Sequence, residues 1–350
     1  MIAATRQANL LPIIARALRQ RPFRPHPTIR NAHAQTLAGR FWPRKLDWDA
    51  ARADEERLFE IAPDVKLLAR CRWQANRQAH PTAVIWHGLE GSVESHYVMG
   101  LADKAWRAGF NAVRVNQRNC GGTEHLTPTL YSSAYYPDLG MVMRELIERD
   151  RLAPLLLIGV SMTGNMALLY AGAMADELPD ELAAICTMSP SVDLGECSDL
   201  LHERDNWLYH YHFVRSLKQR VRQKQALFPE LYDIADFERI RTIRDFDERI
   251  TSRYMGFPDA ATYYADCSSR PYLGAIRKPT LIIHAHDDPF VPFGPMRDAA
   301  VRDNPNILLL DTDSGGHVGF IADKTEGASD RFWAENRIIE FCQLALAAGI

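Results

Sequence analysis

Residues 154–168 read P-L-L-L-I-G-V-S-M-T-G-N-M-A-L. The first half is an apolar run that ends at Gly159, which is typical of a central strand buried on both faces of a parallel sheet. The second half is apolar and begins a predicted helix near Met162, so Ser161 stands at the junction. A serine on such a tight turn holds its Oγ above the sheet edge, and the next helix N-terminus favours negative charge there. The stretch therefore predicts an α/β protein with Ser161 as a candidate nucleophile.

Short aliphatic runs of the same kind recur along the chain, each followed by a turn and a longer amphipathic segment. They occupy residues 82–87, 111–116, 183–188, 280–285 and 306–310. This alternation predicts a mostly parallel sheet with crossover helices on both faces. Residues 58–73 alternate in polarity around a turn at Pro63 and Asp64, which predicts an antiparallel hairpin at the sheet edge. We therefore expect an eight-stranded sheet.

The alternation breaks between residues 191 and 277, where the chain becomes charged, aromatic and helical. An insertion after the sixth of eight strands would lie over the carboxyl ends of the strands, where open α/β sheets form their sites. We expect a helical cap insertion over 191–277 and an α/β core made of 51–190 and 278–350. We expect residues 1–50 to be a helical or extended segment that packs on the core. The alternative for the insertion is a packing appendage without substrate contact.

Composition limits the classes of partner. The chain has 350 residues, 47% of them hydrophobic, so it can bury one large core. Its formal net charge of −3 gives no long-range field, and we expect neither nucleic acid nor anionic lipid as a partner. The six cysteines include no C-x-x-C pair, which favours free thiols and a cytoplasmic location. The oligomeric state does not follow from the sequence.

Residues 9–18 are the most apolar stretch near the N-terminus, but Pro12 and Arg16 interrupt them. The stretch is too short to span a bilayer and lacks a signal-peptide cleavage pattern. We expect a helix packed on the body of the protein, because apolar stripes usually face a core. The alternative is a peripheral contact with a membrane surface.

Two later strand ends supply the partners that a serine nucleophile needs. Hydrolases built on such a sheet carry nucleophile, acid and histidine in that chain order. The strand at 280–285 runs into H-D-D-P-F-V-P, where Asp288 is the candidate acid and Asp287 the alternative. The next strand runs into D-S-G-G-H-V-G-F, which sets His317 on a glycine-flanked loop. Each of these aspartates and His317, taken alone, is typical of an ordinary turn or surface residue. Because a serine, an acid and a histidine follow one another in the required chain order, the sequence favours a charge relay in which His317 takes the Ser161 proton.

Backbone N–H groups near the serine are candidates for stabilising an oxyanion. Such groups normally come from the residue after the nucleophile and from the turn after an early strand. Met162 supplies the first donor, and Leu89, in the glycine-rich turn H-G-L-E-G-S at 87–92, supplies the second. The alternative for this second segment is an ordinary flexible turn.

An ordered series of motifs gives the chain a family resemblance that runs nearly end to end. The motifs are N-A-H-A-Q-T-L (31–37), H-G-L-E-G-S, S-H-Y (95–97), N-Q-R-N-C-G-G (116–122), G-V-S-M-T-G, R-T-I-R-D-F-D (241–247), Y-Y-A-D-C-S-S (263–269), H-A-H-D-D-P-F and G-G-H-V-G-F. The chain resembles the type-4 family of the α/β-hydrolase superfamily, which holds YheT-like hydrolases and eukaryotic lipid esterases. The resemblance implies an α/β-hydrolase fold, a relay of Ser161, Asp288 and His317, and cleavage of short-chain or acylglycerol-type esters.

Two positions depart from the family pattern. Thr163 stands where the family has glycine, so either its side chain must find room or Gly164 must make the close approach. Asn119 replaces a glycine in the loop beside the site. The R-D-F-D block has no derived chemical role, and we expect Arg244 or Asp245 to form a buried ion pair.

Two other functions remain as alternatives. A non-catalytic member of the fold would bind a lipid or partner in the capped cleft, since fold does not fix function. A metal-dependent hydrolase would use His284 and His286, which share one strand face, together with the neighbouring aspartates. No third group of ligands is evident in the sequence, and the charge relay calls for no metal or organic cofactor.

Overall fold

An eight-stranded sheet forms the centre of the computed structural model, which describes residues 10–46, 54–235, 237–324 and 330–348. The strands are β1 (Glu55–Ala62), β2 (Val65–Arg72), β3 (Thr82–Trp86), β4 (Asn111–Val115), β5 (Leu155–Val160), β6 (Leu182–Met188), β7 (Thr280–Ala285) and β8 (Ile307–Thr312). Their order is β1-β2-β4-β3-β5-β6-β7-β8. The β1–β2 and β2–β4 pairs are antiparallel, and the other pairs are parallel. The predicted mostly parallel sheet and its edge hairpin are confirmed.

Helices connect the strands and cover both faces of the sheet. They are α1 (Leu10–Arg19), α2 (Ala32–Phe41), α3 (His96–Arg107), α4 (Pro137–Glu148), α5 (Met162–Ala173), α6 (Leu194–His202), α7 (Trp207–Leu227), α8 (Ile243–Phe246), α9 (Ser252–Met255), α10 (Ala260–Cys267), α11 (Ala299–Arg302) and α12 (Trp333–Ala347). A π-helical turn, Asp247–Thr251, joins α8 to α9. Helices α6 to α10 lie between β6 and β7 in the chain, where the strand–helix alternation is interrupted.

The strands carry apolar residues without alternation because helices bury both of their faces. Successive strand residues point to opposite faces. Val84 and Leu157 therefore belong to one core cluster, with residues of α4 and α5. Ile85 and Ile158 belong to a second cluster, with residues of α1, α3 and α12. Strand β5 is buried along its whole length, as the apolar run predicted.

Helix α1 packs on the body of the protein, as expected for the apolar stretch near the N-terminus. Its Leu11, Ile14 and Leu18 are buried in the second core cluster. Residues 1–9 and 47–53 lie outside the described part of the chain, so the ends of the predicted N-terminal segment do too. Within the described ranges, the helices are too short or too polar to cross a membrane.

Candidate active site

Ser161 lies on a sharp turn between β5 and α5. Its backbone has φ 56° and ψ −118°, a conformation that is rare for a residue with a side chain and is held in place by its surroundings. Two glycines permit this close packing. A Cβ on Gly159 would lie 2.4 Å from the Thr163 carbonyl oxygen, and one on Gly88 would lie 2.9 Å from the Ser161 Cβ. The turn leaves Ser161 lining a cavity above the sheet.

Thr163 finds room in this turn and uses its hydroxyl there. The side chain is fully buried between β3 and β5. The Val160 N–H donates to its Oγ1 at 3.0 Å, and that Oγ1 lies 3.0 Å from the Trp86 carbonyl oxygen. Gly164 is also tightly packed, because a Cβ there would lie 3.0 Å from the Pro190 Cβ. The departure from the glycine pattern is therefore accommodated by hydrogen bonds that glycine could not make.

The structure brings Ser161, His317 and Asp288 together from three strand ends. Ser161 Oγ lies 2.9 Å from His317 Nε2. Asp288 Oδ2 and Oδ1 lie 2.9 and 3.1 Å from His317 Nδ1. An ionised carboxylate only accepts hydrogen bonds, so Nδ1 carries the proton and Nε2 is free to accept the serine proton.

Asp288 is held as a carboxylate by its surroundings. Burial by itself would raise the pKa of Asp288. The charge of His317, its hydrogen bond and the backbone N–H donors lower the pKa by more than burial raises it, so the pKa lies below its ordinary value. The donors include the N–H groups of Phe290 at 2.8 Å and Val291 at 3.0 Å. The side chain therefore keeps the charge that orients and stabilises a protonated imidazole.

Asp287, the alternative acid, lies elsewhere. Its Oδ1 accepts a hydrogen bond from the Gly316 N–H at 2.9 Å, so it contacts the backbone of the histidine loop, and the carboxylate hydrogen-bonded to the ring is that of Asp288. Burial raises the pKa of Asp287 above its ordinary value. Its position supports the loop that carries His317.

Helix α2 provides a second support for this loop. The His317 N–H donates to Thr36 Oγ1 at 2.9 Å, and the Ile321 N–H donates to Gln35 Oε1 at 2.7 Å. A Cβ on Gly316 would lie 2.3 Å from the Ala32 carbonyl oxygen. The N-A-H-A-Q-T-L motif therefore packs against the histidine loop, a role that its position in the sequence does not reveal.

The glycine-rich turn after β3 lies directly against the serine. Leu89 and Met162 line the same cavity as Ser161. The Gly88 N–H donates to the Tyr97 hydroxyl at 2.8 Å, which ties the turn to the S-H-Y motif. Burial lowers the pKa of His87 to about 4, so its ring is neutral and its Nε2 accepts from the Gln117 N–H at 3.0 Å. These two contacts fix the start of the turn.

Glu90 links the same turn to helix α7. Its largely buried carboxylate accepts from Arg220 Nε at 2.8 Å and from the Tyr131 hydroxyl at 2.6 Å. Arg220 also donates to the carbonyl oxygen of Asn119. Asn119 adopts φ 63°, a left-handed conformation that asparagine tolerates better than most residues, so it can replace the family glycine. Sequence analysis did not identify the Glu90–Arg220 pair.

A cavity opens in front of Ser161, which is among its lining residues. Its walls are mostly apolar, and helices α6 to α10 contribute a large share of the lining side chains. These include Leu194, Leu201, Phe213, Leu217, Val221, Ile243, Phe246, Met255 and Tyr263. The cavity can therefore accommodate an apolar chain that extends from the serine.

The R-D-F-D block lines one side of this cavity, and the expected buried ion pair is wrong. Arg244 pairs with Asp199 at 2.5 Å on the protein surface. Asp245 caps helix α8 by accepting from the Thr242 N–H at 2.9 Å. The second acidic residue of the block, Asp247, is the one that faces the cavity.

Asp247 is a carboxylate in an apolar setting. It accepts hydrogen bonds from the hydroxyls of Thr251 at 2.6 Å and Tyr264 at 2.7 Å. Burial raises its pKa to about 6. The sequence motif contained this residue, but only the fold shows which of its charged side chains enters the cavity.

The two histidines considered as metal ligands point to different partners. His284 is buried, and its Nε2 lies 3.1 Å from the Val291 carbonyl oxygen. His286 Nε2 lies 2.8 Å from Asp311 at the surface. Nowhere in the described ranges do three or more His, Cys, Asp or Glu side chains form a group that could hold a metal. These contacts give the two histidines structural roles.

All six cysteines are buried free thiols, as expected from their spacing. Cys186 on β6 and Cys342 on α12 approach to 3.7 Å between their sulfur atoms. The thiols lie inside the core, and Cys197 also lines the cavity in front of Ser161. Burial raises the pKa of the Cys120 and Cys267 thiols to about 12, so both are protonated at neutral pH.

Comparison with known proteins places this architecture in a family. A family model described as the alpha/beta hydrolase fold matches residues 81–324. YheT of Escherichia coli (strain K12) is 33% identical over 93% of this chain and 94% of its own length. Phospholipase ABHD3 of Homo sapiens is 31% identical over 69% of this chain, which spans 59% of that longer protein.

A solved structure shows the same fold at low sequence identity. Est1E from Butyrivibrio proteoclasticus, determined with ferulic acid bound, superposes with a TM-score of 0.55. The two chains are 16% identical, and the match covers 83% of this chain and 99% of Est1E. Together with the sequence relatives and the serine turn after β5, this likeness places the chain in the α/β-hydrolase superfamily, within its YheT-like family.

Proposed function

We propose that this protein is a serine hydrolase that cleaves carboxylic esters through an acyl-enzyme on Ser161. The observation that carries the proposal is the continuous hydrogen-bonded series from Ser161 Oγ through His317 to Asp288. A serine hydroxyl is a weak nucleophile until a neighbouring base removes its proton, and this series places that base at 2.9 Å. The related human phospholipase and the apolar cavity support an ester with an acyl chain as substrate.

The first half of the reaction forms the acyl-enzyme. His317 Nε2 takes the Ser161 proton as Oγ attacks the ester carbonyl carbon, and a C–O bond forms while the carbonyl oxygen becomes negative. We propose that the N–H groups of Leu89 and Met162 bind this oxyanion. When the intermediate collapses, the bond to the alcohol oxygen breaks and His317 gives that oxygen its proton. Asp288 stabilises the imidazolium in between.

The second half regenerates the enzyme. Water loses a proton to His317 as its oxygen attacks the acyl carbon, and the new tetrahedral intermediate occupies the same oxyanion position. Collapse breaks the bond to Ser161 Oγ, which recovers its proton from His317. The carboxylic acid then leaves the cavity.

The shape of the site suggests the substrate class. An apolar cavity with few polar contacts favours an acyl chain over a peptide, because it buries apolar surface without directing hydrogen bonds. We therefore propose short-chain or acylglycerol-type esters as substrates, with helices α6 to α10 acting as a cap over the acyl chain. The buried free thiols favour a cytoplasmic location.

A panel of p-nitrophenyl esters tests the proposal. We expect hydrolysis of the acetate, butyrate, octanoate and laurate esters, with a preference among chain lengths, and loss of activity by about 10³-fold or more in Ser161→Ala. EDTA should leave the rates unchanged. Full activity in folded Ser161→Ala, or loss of activity with EDTA and recovery with zinc, would contradict the serine mechanism.

A further inference from the structure

Among the described residues that line the cavity in front of Ser161, Asp247 is the acidic one. Its neighbours Thr251, Tyr264 and Ser198 are buried, whereas Asp247 keeps part of its surface accessible. Because Asp247 is a lining residue, this accessible surface opens into the cavity. A molecule that occupies the cavity can therefore reach the carboxylate.

The hydrogen bonds of Asp247 leave part of its acceptor capacity unused. An ionised carboxylate offers about four acceptor sites. The Thr251 hydroxyl donates to Oδ1 at 2.6 Å, and the Tyr264 hydroxyl donates to Oδ2 at 2.7 Å. The Tyr264 oxygen also lies 3.2 Å from Ser198 Oγ, and Ser198 is the donor there because the Tyr264 proton goes to the carboxylate. Each carboxylate oxygen can thus accept a further bond from a molecule in the cavity.

The charge of Asp247 is costly at this position. Arg244, the basic residue whose charge acts on Asp247, pairs with Asp199 at the protein surface. Burial has the larger effect and raises the pKa of Asp247 to about 6, so the side chain is mostly charged at neutral pH. Asparagine could accept from Tyr264 and contact Thr251 without that cost. A costly charge on the wall of a cleft is typical of a binding or catalytic site.

Asp247 stands apart from the residues that carry the proposed chemistry. Ser161 and His317 follow strands of the sheet, whereas Asp247 begins the π-helical turn between α8 and α9. Its hydrogen-bond partners, Thr251 and Tyr264, belong to the same inserted helical region. We therefore expect Asp247 to act on the choice of substrate and not on the proton transfers at Ser161.

The surroundings favour a neutral hydroxyl over a cation as the partner of this carboxylate. Arg244 already supplies a positive charge, and its guanidinium lies 5.3 Å from the centre of the Tyr264 ring beside Asp247. The mostly apolar walls of the cavity would make burial of a further cation costly. A hydroxyl donates to a carboxylate without adding charge, as Thr251 and Tyr264 already do.

We propose that Asp247 binds a hydroxyl group of the ester substrate and selects hydroxylated esters over apolar esters of the same size. This inference rests on the proposed function and names its substrate class. The hydroxyl belongs either to the alcohol portion, as in a monoacylglycerol, or to the acyl chain, and both present the same donor. An ester without the hydroxyl displaces water from the carboxylate and leaves an acceptor unpaired, so it is selected against.

A comparison of matched esters tests the proposal, with one arm for each position of the hydroxyl. Monooctanoylglycerol is compared with propyl octanoate, and the isomers of p-nitrophenyl hydroxyoctanoate are compared with p-nitrophenyl octanoate. We expect kcat/KM to favour the hydroxylated ester by about tenfold or more in at least one arm. Asp247→Asn should reduce this preference by about fivefold or more, because a charge-assisted hydrogen bond becomes a neutral one.

The matched control is Asp245→Asn, which makes the same change two positions away. Asp245 caps α8 and is not among the residues that line the cavity, so this variant should keep the preference of the unmodified protein. An unchanged preference in folded Asp247→Asn would overturn the proposal. So would hydrolysis of the apolar esters by the unmodified protein with no preference in either arm, a result that leaves the proposed ester hydrolysis intact.

A cationic ester provides a further arm. Preference for octanoylcholine over monooctanoylglycerol, reduced in Asp247→Asn, would overturn the proposal because the carboxylate would then bind a cation. Failure to cleave any of these esters would overturn the proposed function together with this inference, which distinguishes the two failures.

Discussion

Replacing Thr163 with valine should destabilise the protein although the two side chains have nearly the same shape. The hydroxyl accepts from the Val160 N–H and lies 3.0 Å from the Trp86 carbonyl oxygen, at a fully buried position. Valine fills the same space but leaves these groups without that partner. Leaving a buried polar group unsatisfied costs about 1–3 kcal/mol, so we expect a loss of that size in the free energy of unfolding.

The measurement is equilibrium urea unfolding followed by circular dichroism, with Thr163→Ser as the matched control. Serine keeps the hydroxyl and removes one methyl group, which predicts a smaller loss of about 1 kcal/mol. The free energy of unfolding should fall with urea concentration at the same slope in all three proteins. Differences between their unfolding midpoints then report differences in stability. A Thr163→Val protein as stable as the unmodified one, or more stable than Thr163→Ser, would refute the role given to the hydroxyl.

Three further predictions follow from the contacts around the serine. Asp288→Asn should lower kcat by about 10⁴-fold, whereas Asp287→Asn should lower it by less than about tenfold, because an amide oxygen can still accept from the loop backbone; equal losses in steady-state assays would reverse the two roles. Glu90→Ala should lower the free energy of unfolding by about 3 kcal/mol, because it removes the main partner of the largely buried Arg220, and a loss below about 1 kcal/mol in urea unfolding would argue against this. The Asp247 pKa is raised to about 6, so the folded state holds this proton more tightly than the unfolded state and stability falls as pH rises from about 4 through 6. Relative to Asp247→Asn, the unmodified protein should lose about 1–2 kcal/mol across that range, and a pH-independent difference would contradict the assignment.

The sequence predicted the sheet and the residues at its strand ends because these depend on local pattern. An apolar run such as the one before Ser161 has few alternatives to a buried strand. The chain order of Ser161, Asp288 and His317 then places each residue at the end of its own strand. Parallel strands deliver such ends to one edge of the sheet, so the meeting of the three residues follows from topology.

The parts that the sequence did not predict depend on contacts between distant segments. Thr36 supports His317 across 281 residues of chain, and no local pattern reports such a contact. The R-T-I-R-D-F-D motif contains several charged residues, and only the folded structure shows that Asp247, at the start of the π-helical turn after α8, faces the cavity.

Covalent labelling with a fluorophosphonate tests the central claim most directly, because the probe reacts only with an activated serine. Intact-protein mass spectrometry with peptide mapping should show one adduct, on the peptide that contains Ser161. The adduct should be absent from Ser161→Ala and strongly slowed in His317→Ala, since the imidazole activates the hydroxyl. An unlabelled protein whose circular dichroism shows it to be folded, or an adduct on a different peptide, would contradict the account.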